Sequence, residues 1–315
     1  MIIGPLSLGF FVSTPNYPIF NQFFNRMSTI HAIILAIIEG LTEFLPISST
    51  AHMKFANPLI GEGQSAFREM FEVVIQLAAI LSVVVLYWKR FFDFKKLGFY
   101  IKLIIALVPA ILFGVLFKKY IDAALGNLTF IACVMIGGGI VLLFIDKVFK
   151  NSTVHSTDQV SNKNAFVIGC FQVLSIVFPG LSRSAATIIG GLSQKLDRKV
   201  AAEFSFFLAV PTMLAASVKS FIDACKAHYA QAHGLSAEVK VHMHDALGKD
   251  NLAVLFNHDN ALALAVGCVV SFIVALLAIR FFIGYLQKHG FQLFGYYRII
   301  VGIGVLALIY GGVIH

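Results

Sequence analysis

Residues 39–52 read Glu-Gly-Leu-Thr-Glu-Phe-Leu-Pro-Ile-Ser-Ser-Thr-Ala-His, within an otherwise apolar part of the chain. Glu39 and Glu43 are four residues apart, so they share one face if this segment is helical. Pro46 is expected to end that helix, and a second helix can then begin on hydroxyl-bearing residues, namely Ser48, Ser49 and Thr50. Because charge is costly at membrane depth, the two carboxylates indicate a functional site, and exposure at a membrane interface is the alternative.

The composition around this segment excludes a soluble domain. The chain has 315 residues, of which 58% are hydrophobic and 13% are charged, and its mean hydropathy is +0.85. An apolar helix of roughly 17–25 residues can cross a bilayer. The sequence predicts spans at 70–88, 99–117, 128–149, 201–222, 260–282 and 294–313.

Two further apolar segments, 30–58 and 164–193, are interrupted near their centres by Pro46 and by Pro179 with Gly180. Proline removes a helical hydrogen bond and breaks the helix. We therefore expect each segment to form two short half-helices, as in a re-entrant hairpin. The predicted fold class is an all-α polytopic membrane protein with six transmembrane helices and two re-entrant helical hairpins.

Lysines and arginines are concentrated in four loops, at 89–102, 146–163, 194–200 and 281–293. By the positive-inside rule these loops are cytoplasmic, and loop 223–259 lies outside. Membrane orientation thereby explains the net charge of +8. No nucleic acid is expected as a partner.

The two interrupted segments are related by a repeat. The same spacing of 133 residues separates Glu39 from Gln172 and Pro46 from Pro179. The first segment should enter the membrane from outside and the second from inside, which is typical of an inverted repeat with a site near the midplane. Chance similarity between apolar stretches is the alternative. The predicted organisation is an N-terminal extension (1–27), a first repeat (28–150) and a second repeat (151–315) with an extracytoplasmic insertion (226–258).

The second interrupted segment adds a fixed cation. Arg183 follows the break at Pro179, among three hydroxyls, those of Ser182, Ser184 and Thr187. Arginine binds phosphate through two parallel hydrogen bonds, and the free N–H groups of a helix N-terminus favour anions. These features predict a phosphate site, which Gln172 is expected to line. An ion pair between Arg183 and one of the glutamates, holding the two segments together, is the structural alternative.

These segments resemble the signatures of a known family. Residues 39–52 closely resemble the first signature of the bacterial undecaprenyl-diphosphate phosphatases, the bacitracin-resistance family. Residues 179–187, Pro-Gly-Leu-Ser-Arg-Ser-Ala-Ala-Thr, resemble the second. The resemblance runs from about residue 28 to the C-terminus and includes segments 71–78, 203–211 and 295–298. The chain departs from the family pattern where glycine is expected, at Ala51 and Ala185, and in the insertion 226–258.

The resemblance implies six spanning helices and two re-entrant hairpins in interlocked inverted repeats. It implies hydrolysis of undecaprenyl diphosphate to undecaprenyl phosphate and inorganic phosphate, which recycles the lipid carrier for peptidoglycan synthesis and confers bacitracin resistance. The protein would lie in the cytoplasmic membrane of a bacterium, with its active site on the extracytoplasmic side. Its expected partners are a polyprenyl diphosphate and membrane lipid, with a homodimer as a possible assembly. A secondary transporter or flippase for a phosphorylated lipid is the alternative, because such proteins also contain inverted repeats and interrupted helices.

Phosphoryl transfer requires in-line attack and neutralisation of charge on the phosphate oxygens. Arg183 is expected to clamp the diphosphate. Ser49 is the candidate nucleophile, and helix capping or phosphate binding is its alternative role. Direct attack by water is the alternative mechanism. Glu39 and Glu43 are expected to hold a divalent cation, Mg²⁺ or Ca²⁺, or to supply a general base. His52 is the candidate base or leaving-group acid, or else it makes a structural hydrogen bond. The expected substrate-binding residues are Ser48, Thr50, Gln172, Ser182, Ser184 and Thr187.

Other polar residues have simpler interpretations. Gln76 and Glu203 lie inside spans and are expected to make interhelical hydrogen bonds. Arg298 is expected to meet a backbone carbonyl group or a lipid headgroup. The insertion contains several histidines, and its run 241–245, Val-His-Met-His-Asp, hints at a metal site. Solvated histidines without a metal are the simpler interpretation.

Overall fold

The computed structural model describes residues 27–61, 66–232 and 258–314, and every regular element in these ranges is a helix. Residues 1–26 of the predicted extension and residues 233–257 of the insertion, with the run 241–245, lie outside the described residues. The described helices are α1 (Thr29–Thr42), α2 (Ser49–Leu59), α3 (Ala66–Leu86), α4 (Trp88–Phe91), α5 (Leu97–Leu116), α6 (Lys118–Leu125), α7 (Leu128–Val148), α8 (Asn162–Val177), α9 (Arg183–Ser193), α10 (Arg198–Ala232), α11 (His258–His289) and α12 (Gln292–Tyr310).

Six of these helices, α3, α5, α7, α10, α11 and α12, are long and apolar enough to cross a membrane. Each contains most of one predicted span, so the prediction of an all-α, multi-pass membrane protein is confirmed. Pro109 lies inside α5 and Pro211 inside α10 without ending either helix. Membrane helices tolerate such prolines because neighbouring groups satisfy the freed backbone positions.

Each interrupted segment forms two short helices, as predicted. α1 and α2 are separated by a turn at Pro46, and α8 and α9 by a turn at Pro179. Ser48 and Ser182 precede α2 and α9, with φ angles of 73° and 76°, a left-handed conformation that is uncommon for residues other than glycine. The Oγ atom of each serine accepts a hydrogen bond from the backbone N–H three residues later, at 3.3 and 3.2 Å. The two turns therefore share one local design, a serine cap on a left-handed residue.

The two ends of the α8–α9 pair lie side by side. The N–H of Thr153 donates to the carbonyl oxygen of Lys195 at 2.9 Å, and the N–H of Asp197 donates to that of Val154 at 3.0 Å. The chain therefore enters and leaves this helix pair at one place, as a re-entrant hairpin requires. The path of the two pairs through a bilayer remains a prediction.

Each interrupted helix pair packs against a span from the other half of the chain. α1 packs on α11, and α8 packs on α5. Between the halves, α3 also packs on α10 and α7 on α12. This reciprocal packing is what interlocked inverted repeats require. The boundaries of the repeats, 28–150 and 151–315, remain a prediction.

Two glycines allow the interrupted pairs to approach these spans closely. A Cβ atom at Gly40 of α1 would lie 2.8 Å from the carbonyl oxygen of Ser271 in α11. A Cβ atom at Gly169 of α8 would collide with the carbonyl oxygen of Ala106 in α5. Small residues at such positions let membrane helices come into backbone contact.

We expect Gly169→Val to destabilise the protein by about 1–3 kcal/mol, because the backbone at Ala106 must move to admit the side chain. Gly137→Val is the matched control, since no atom lies within 4 Å of a Cβ placed there. Thermal unfolding of the two purified variants in one detergent measures the difference. A Gly169→Val protein that melts with the wild type would contradict this packing.

Candidate active site

One buried arginine, Arg298 of α12, holds the two turns together. Its guanidinium donates to the carbonyl oxygen of Pro46 in the first turn at 3.0 Å. It donates to those of Gly180 and Leu181 in the second turn at 2.9 and 2.8 Å. Its Nε donates to Met135 of α7 at 3.1 Å, and the whole residue is 0% exposed. The expected contact of Arg298 with backbone carbonyl groups is confirmed, and it joins three separate parts of the chain.

Glu43 connects the candidate nucleophile with the candidate phosphate clamp. Its Oε2 accepts a hydrogen bond from Oγ of Ser49 at 2.5 Å, and its Oε1 accepts one from Nη2 of Arg183 at 3.1 Å. Gln76 of α3 donates to the same carboxylate at 3.4 Å. Ser49 and Arg183 are the first residues of α2 and α9, so the two half-helix N-termini meet at this carboxylate.

Arg183 is fixed on two sides and keeps one buried donor free. Its Nη1 donates to the carbonyl oxygen of Ser205 in α10 at 3.0 Å, and its Nη2 binds Glu43. Within the described residues, its Nε is buried and has no hydrogen-bond partner. The ion pair that the structural alternative anticipated therefore exists, but the side chain also lines a cavity. Because a guanidinium at the N-terminus of α9 lies on the cavity wall, this geometry favours an anionic ligand.

A cavity of about 360 Å³ lies against these groups. Its polar lining comprises Glu43, Ser48, Ser49, Thr50, Gln76, Ser175, Ser182 and Arg183. Its apolar side chains are Ile121 and Leu125 from α6, Ile176 from α8, Pro179 from the second turn, and Met213 and Ala216 from α10. The cavity can therefore receive a molecule that has an anionic group and an apolar group.

Three predicted substrate-binding residues lie outside this cavity lining, namely Gln172, Ser184 and Thr187. The side chain of Gln172 is hydrogen-bonded to Thr212 at 3.4 Å. The hydroxyl group of Ser184 donates to the carbonyl oxygen of Phe44 at 2.8 Å, and that of Thr187 is hydrogen-bonded to Ser205 at 2.7 Å. These bonds tie α8 to α10 and α9 to the first turn and to α10. The structure brings the other three predicted residues, Ser48, Thr50 and Ser182, to the cavity.

His52 does not lie at the hydroxyl group of Ser49. Its Nδ1 is 2.7 Å from the carbonyl oxygen of Ser48, and its Nε2 is 2.8 Å from the hydroxyl oxygen of Tyr297. The imidazole ring also stacks on Tyr297, with ring centroids 5.6 Å apart. The described contacts therefore favour Glu43 over His52 as the base for Ser49. A role for His52 as leaving-group acid remains a prediction.

Glu39 lies beside Glu43 and has an unsatisfied oxygen. It is 2% exposed, and its Oε1 has no hydrogen-bond partner among the described residues. The described part of the chain contains no cluster of three or more acidic, histidine or cysteine side chains that could hold a metal ion. Mg²⁺ commonly binds one or two carboxylates together with substrate phosphates. Glu43 lines the cavity and Glu39 is not among its lining residues, and a divalent cation held by the two carboxylates remains a prediction.

The sequence interpretation missed the apolar side of the cavity. The short helix α6 was expected to be only a loop between two spans. Ile121 and Leu125 stand four apart in it, a spacing that places them on one face of a helix. The interhelical bond predicted for Gln76 is confirmed and its partner is Glu43. Glu203 of α10 likewise accepts a hydrogen bond from a distant segment, from Tyr87 between α3 and α4 at 3.4 Å.

Known proteins with similar sequences point to one family. The family described as bacitracin resistance protein BacA matches residues 32–304. An undecaprenyl-diphosphatase of Flavobacterium psychrophilum is 49% identical over 282 residues, covering 90% of this chain and 96% of that protein. Undecaprenyl-diphosphatases of Porphyromonas gingivalis and Campylobacter jejuni are 46% and 38% identical. These alignments cover 91% and 92% of this chain and 99% and 97% of those proteins.

Proposed function

The chain belongs to the bacitracin resistance protein BacA family, and from this membership and the site geometry we propose that it is an undecaprenyl-diphosphatase. It hydrolyses undecaprenyl diphosphate to undecaprenyl phosphate and inorganic phosphate. The observation that carries the proposal is the chain of contacts from Ser49 through Glu43 to Arg183, on a cavity that also has apolar lining. The charged groups suit the diphosphate, and the apolar lining suits the prenyl chain.

In the proposed reaction, Arg183 holds the terminal phosphate and Glu43 accepts the proton of the Ser49 hydroxyl group. The Ser49 oxygen bonds to the terminal phosphorus while the bond from phosphorus to the bridging oxygen breaks, and undecaprenyl phosphate leaves. Water then cleaves the serine–phosphate bond, which releases inorganic phosphate and restores the hydroxyl group. A divalent cation held by Glu39 and Glu43 would neutralise charge on the phosphate oxygens. In the alternative route, Glu43 activates water for direct attack.

Replacement of Ser49 by Ala separates these two routes. We expect Ser49→Ala to lower kcat by about 10²-fold or more, because the covalent step and its proton transfer are both lost. Ser175→Ala is the matched control, since this serine lines the same cavity and its hydroxyl group donates to a backbone carbonyl oxygen at 2.7 Å. A Ser49→Ala protein that keeps much of the wild-type turnover would favour direct attack by water.

The apolar lining predicts a variant that affects long-chain substrates selectively. We expect Ala216→Trp to lower kcat/KM for undecaprenyl diphosphate about tenfold or more, because the indole fills space that the prenyl chain would occupy. Turnover of isopentenyl diphosphate should change little. Leu214→Trp is the control, because this residue lies on the same helix, is exposed and does not line the cavity. An equal loss for both substrates in Ala216→Trp would contradict this binding mode.

We further propose that the active site faces the extracytoplasmic side of a bacterial cytoplasmic membrane. α5 begins at the basic loop 89–102 and ends next to α6, whose residues line the cavity. The positive-inside rule places that loop in the cytoplasm, and hence α6 outside. A cysteine introduced at Lys118 should therefore react with a membrane-impermeant reagent applied to spheroplasts. Labelling that requires lysis would contradict this orientation.

Release of inorganic phosphate by the pure protein in detergent tests the proposed activity. A detergent micelle does not separate two aqueous compartments, so a transporter cannot move lipid from one side to the other in this assay. Transport alone would therefore release no inorganic phosphate. Steady phosphate release from undecaprenyl diphosphate is the expected result. A folded protein that binds the lipid but releases no phosphate would favour the transporter.

A further inference from the structure

The segment 87–97, which joins spans α3 and α5, exposes an apolar and basic surface. Four large apolar side chains of this segment are more than half exposed, those of Trp88, Phe92, Phe94 and Leu97. Three exposed lysines lie among them, Lys89, Lys95 and Lys96. These seven residues form what we call the interfacial surface.

The segment that carries the interfacial surface contacts two aromatic residues of α5, Phe99 and Tyr100. The hydroxyl group of Tyr100 donates to the carbonyl oxygen of Phe91 at 2.6 Å, and the ring of Tyr100 stacks on Phe94. The guanidinium of Arg90 lies over the ring of Phe99, 4.9 Å from its centroid, and binds Asp158. These contacts hold the segment against the first turn of α5, and the seven side chains of the interfacial surface are exposed.

The acidic groups near this surface are already paired. Arg90 hydrogen-bonds to Asp158 and thereby lowers the pKa of that carboxyl below its ordinary value. Lys96 lies 3.9 Å from Asp93 and 3.8 Å from Asp158. Within the described ranges, Lys89 and Lys95 form no ion pair with an acidic side chain. Lys89 instead lies beside Trp88, with its Nζ 5.9 Å from the ring centroid. The surface therefore presents uncompensated positive charge next to aromatic rings.

We propose that the interfacial surface binds anionic phospholipid headgroups of the leaflet around the adjoining ends of α3 and α5. A segment that directly joins two spans lies at the level of the lipid headgroups. Aromatic side chains are favoured at that level because their rings can enter the boundary of the acyl chains. Lysines at the same level attract anionic headgroups. A protein partner would have to occupy a surface that lipid already surrounds, so lipid fits better.

Trp88 provides a direct test, because it is the single tryptophan of the chain. The full-length protein is placed in liposomes in which either phosphatidylglycerol or phosphatidylcholine carries brominated acyl chains, at equal shares of total lipid. Bromine quenches tryptophan fluorescence on contact. We expect quenching by brominated phosphatidylglycerol to be at least about twofold stronger, because the lysines enrich anionic lipid around Trp88. The assay needs no substrate, so its result is independent of the proposed enzymatic activity.

Replacing Lys89, Lys95 and Lys96 together by Gln should remove this preference and leave quenching by phosphatidylcholine unchanged. The matched control replaces three exposed lysines of other predicted cytoplasmic segments by Gln, namely Lys147, Lys150 and Lys199, and should keep the preference. Equal quenching by the two lipids in the wild type would overturn the proposal. So would a preference that survives in the first variant. Absence of quenching by either lipid would mean that something other than lipid covers the surface, and would overturn it as well.

Discussion

Arg183→Ala should lose turnover of undecaprenyl diphosphate by about 10³-fold or more, as expected when an arginine that neutralises a transferring phosphoryl group is removed. Arg183 is held by Glu43 and by the carbonyl oxygen of Ser205, and its buried Nε has no hydrogen-bond partner within the described residues. Because the side chain also lines the cavity, we propose that its guanidinium binds a diphosphate oxygen there. Replacement of Arg183 by Ala removes this contact and also removes the guanidinium that forms an ion pair with Glu43.

Two companion variants separate the loss of charge from the loss of geometry. Arg183→Lys keeps a cation but lacks the planar fork that binds two phosphate oxygens, so it should recover only part of the turnover. Arg280→Ala removes an exposed arginine of α11 and should behave as the wild type. Initial rates and thermal unfolding are measured on all three purified proteins. A folded Arg183→Ala protein with substantial turnover would contradict the proposed role of this residue.

Replacement of Arg298 by Met should destabilise the fold and the active site together. The guanidinium satisfies four carbonyl oxygens, three in buried bonds and one in a part-buried bond, and three of the four lie in the turns that position Ser49 and Arg183. Leaving such acceptors buried and unpaired should destabilise the protein by about 3–5 kcal/mol. The turns should also separate, so kcat should fall along with the melting temperature.

The Arg298 prediction is checked by unfolding and turnover measured on the same preparations. Arg298→Lys retains a cation that can reach only some of the four acceptors, so its stability and rate should lie between those of wild type and Arg298→Met. Arg280→Met again serves as the exposed control. Wild-type melting and turnover in Arg298→Met would show that the two turns hold their positions without this residue.

The helices and the breaks between them could be predicted because each is encoded locally. A span needs only a sufficient length of apolar residues, and the six spans confirm this. Pro46 and Pro179 each interrupt a helix by removing a backbone donor, and the observed pairs α1–α2 and α8–α9 have their turns there. The residues of the two charged segments were also identifiable, since a charged side chain in an apolar segment requires a partner.

The contacts between distant segments could not be predicted in the same way. Arg298 reaches backbone carbonyl groups, which every residue carries, so no sequence spacing identifies its partners. His52 was the candidate base for Ser49, but its ring nitrogens lie against the carbonyl oxygen of Ser48 and the hydroxyl group of Tyr297 of α12. No sequence spacing identifies the contact with Tyr297, which is 245 residues away. Ala216 and Met213 look like ordinary residues of a span until the packing of α10 places them on the cavity.

In the proposed reaction, Glu43 activates the group that attacks the phosphorus. This role is tested by measuring phosphate release from undecaprenyl diphosphate by the purified wild type and by Glu43→Gln, each with and without EDTA. We predict metal-dependent release by the wild type and a loss of about 10²-fold or more in Glu43→Gln, whose amide cannot accept the proton. Release by a folded Glu43→Gln protein at the wild-type rate would contradict the account.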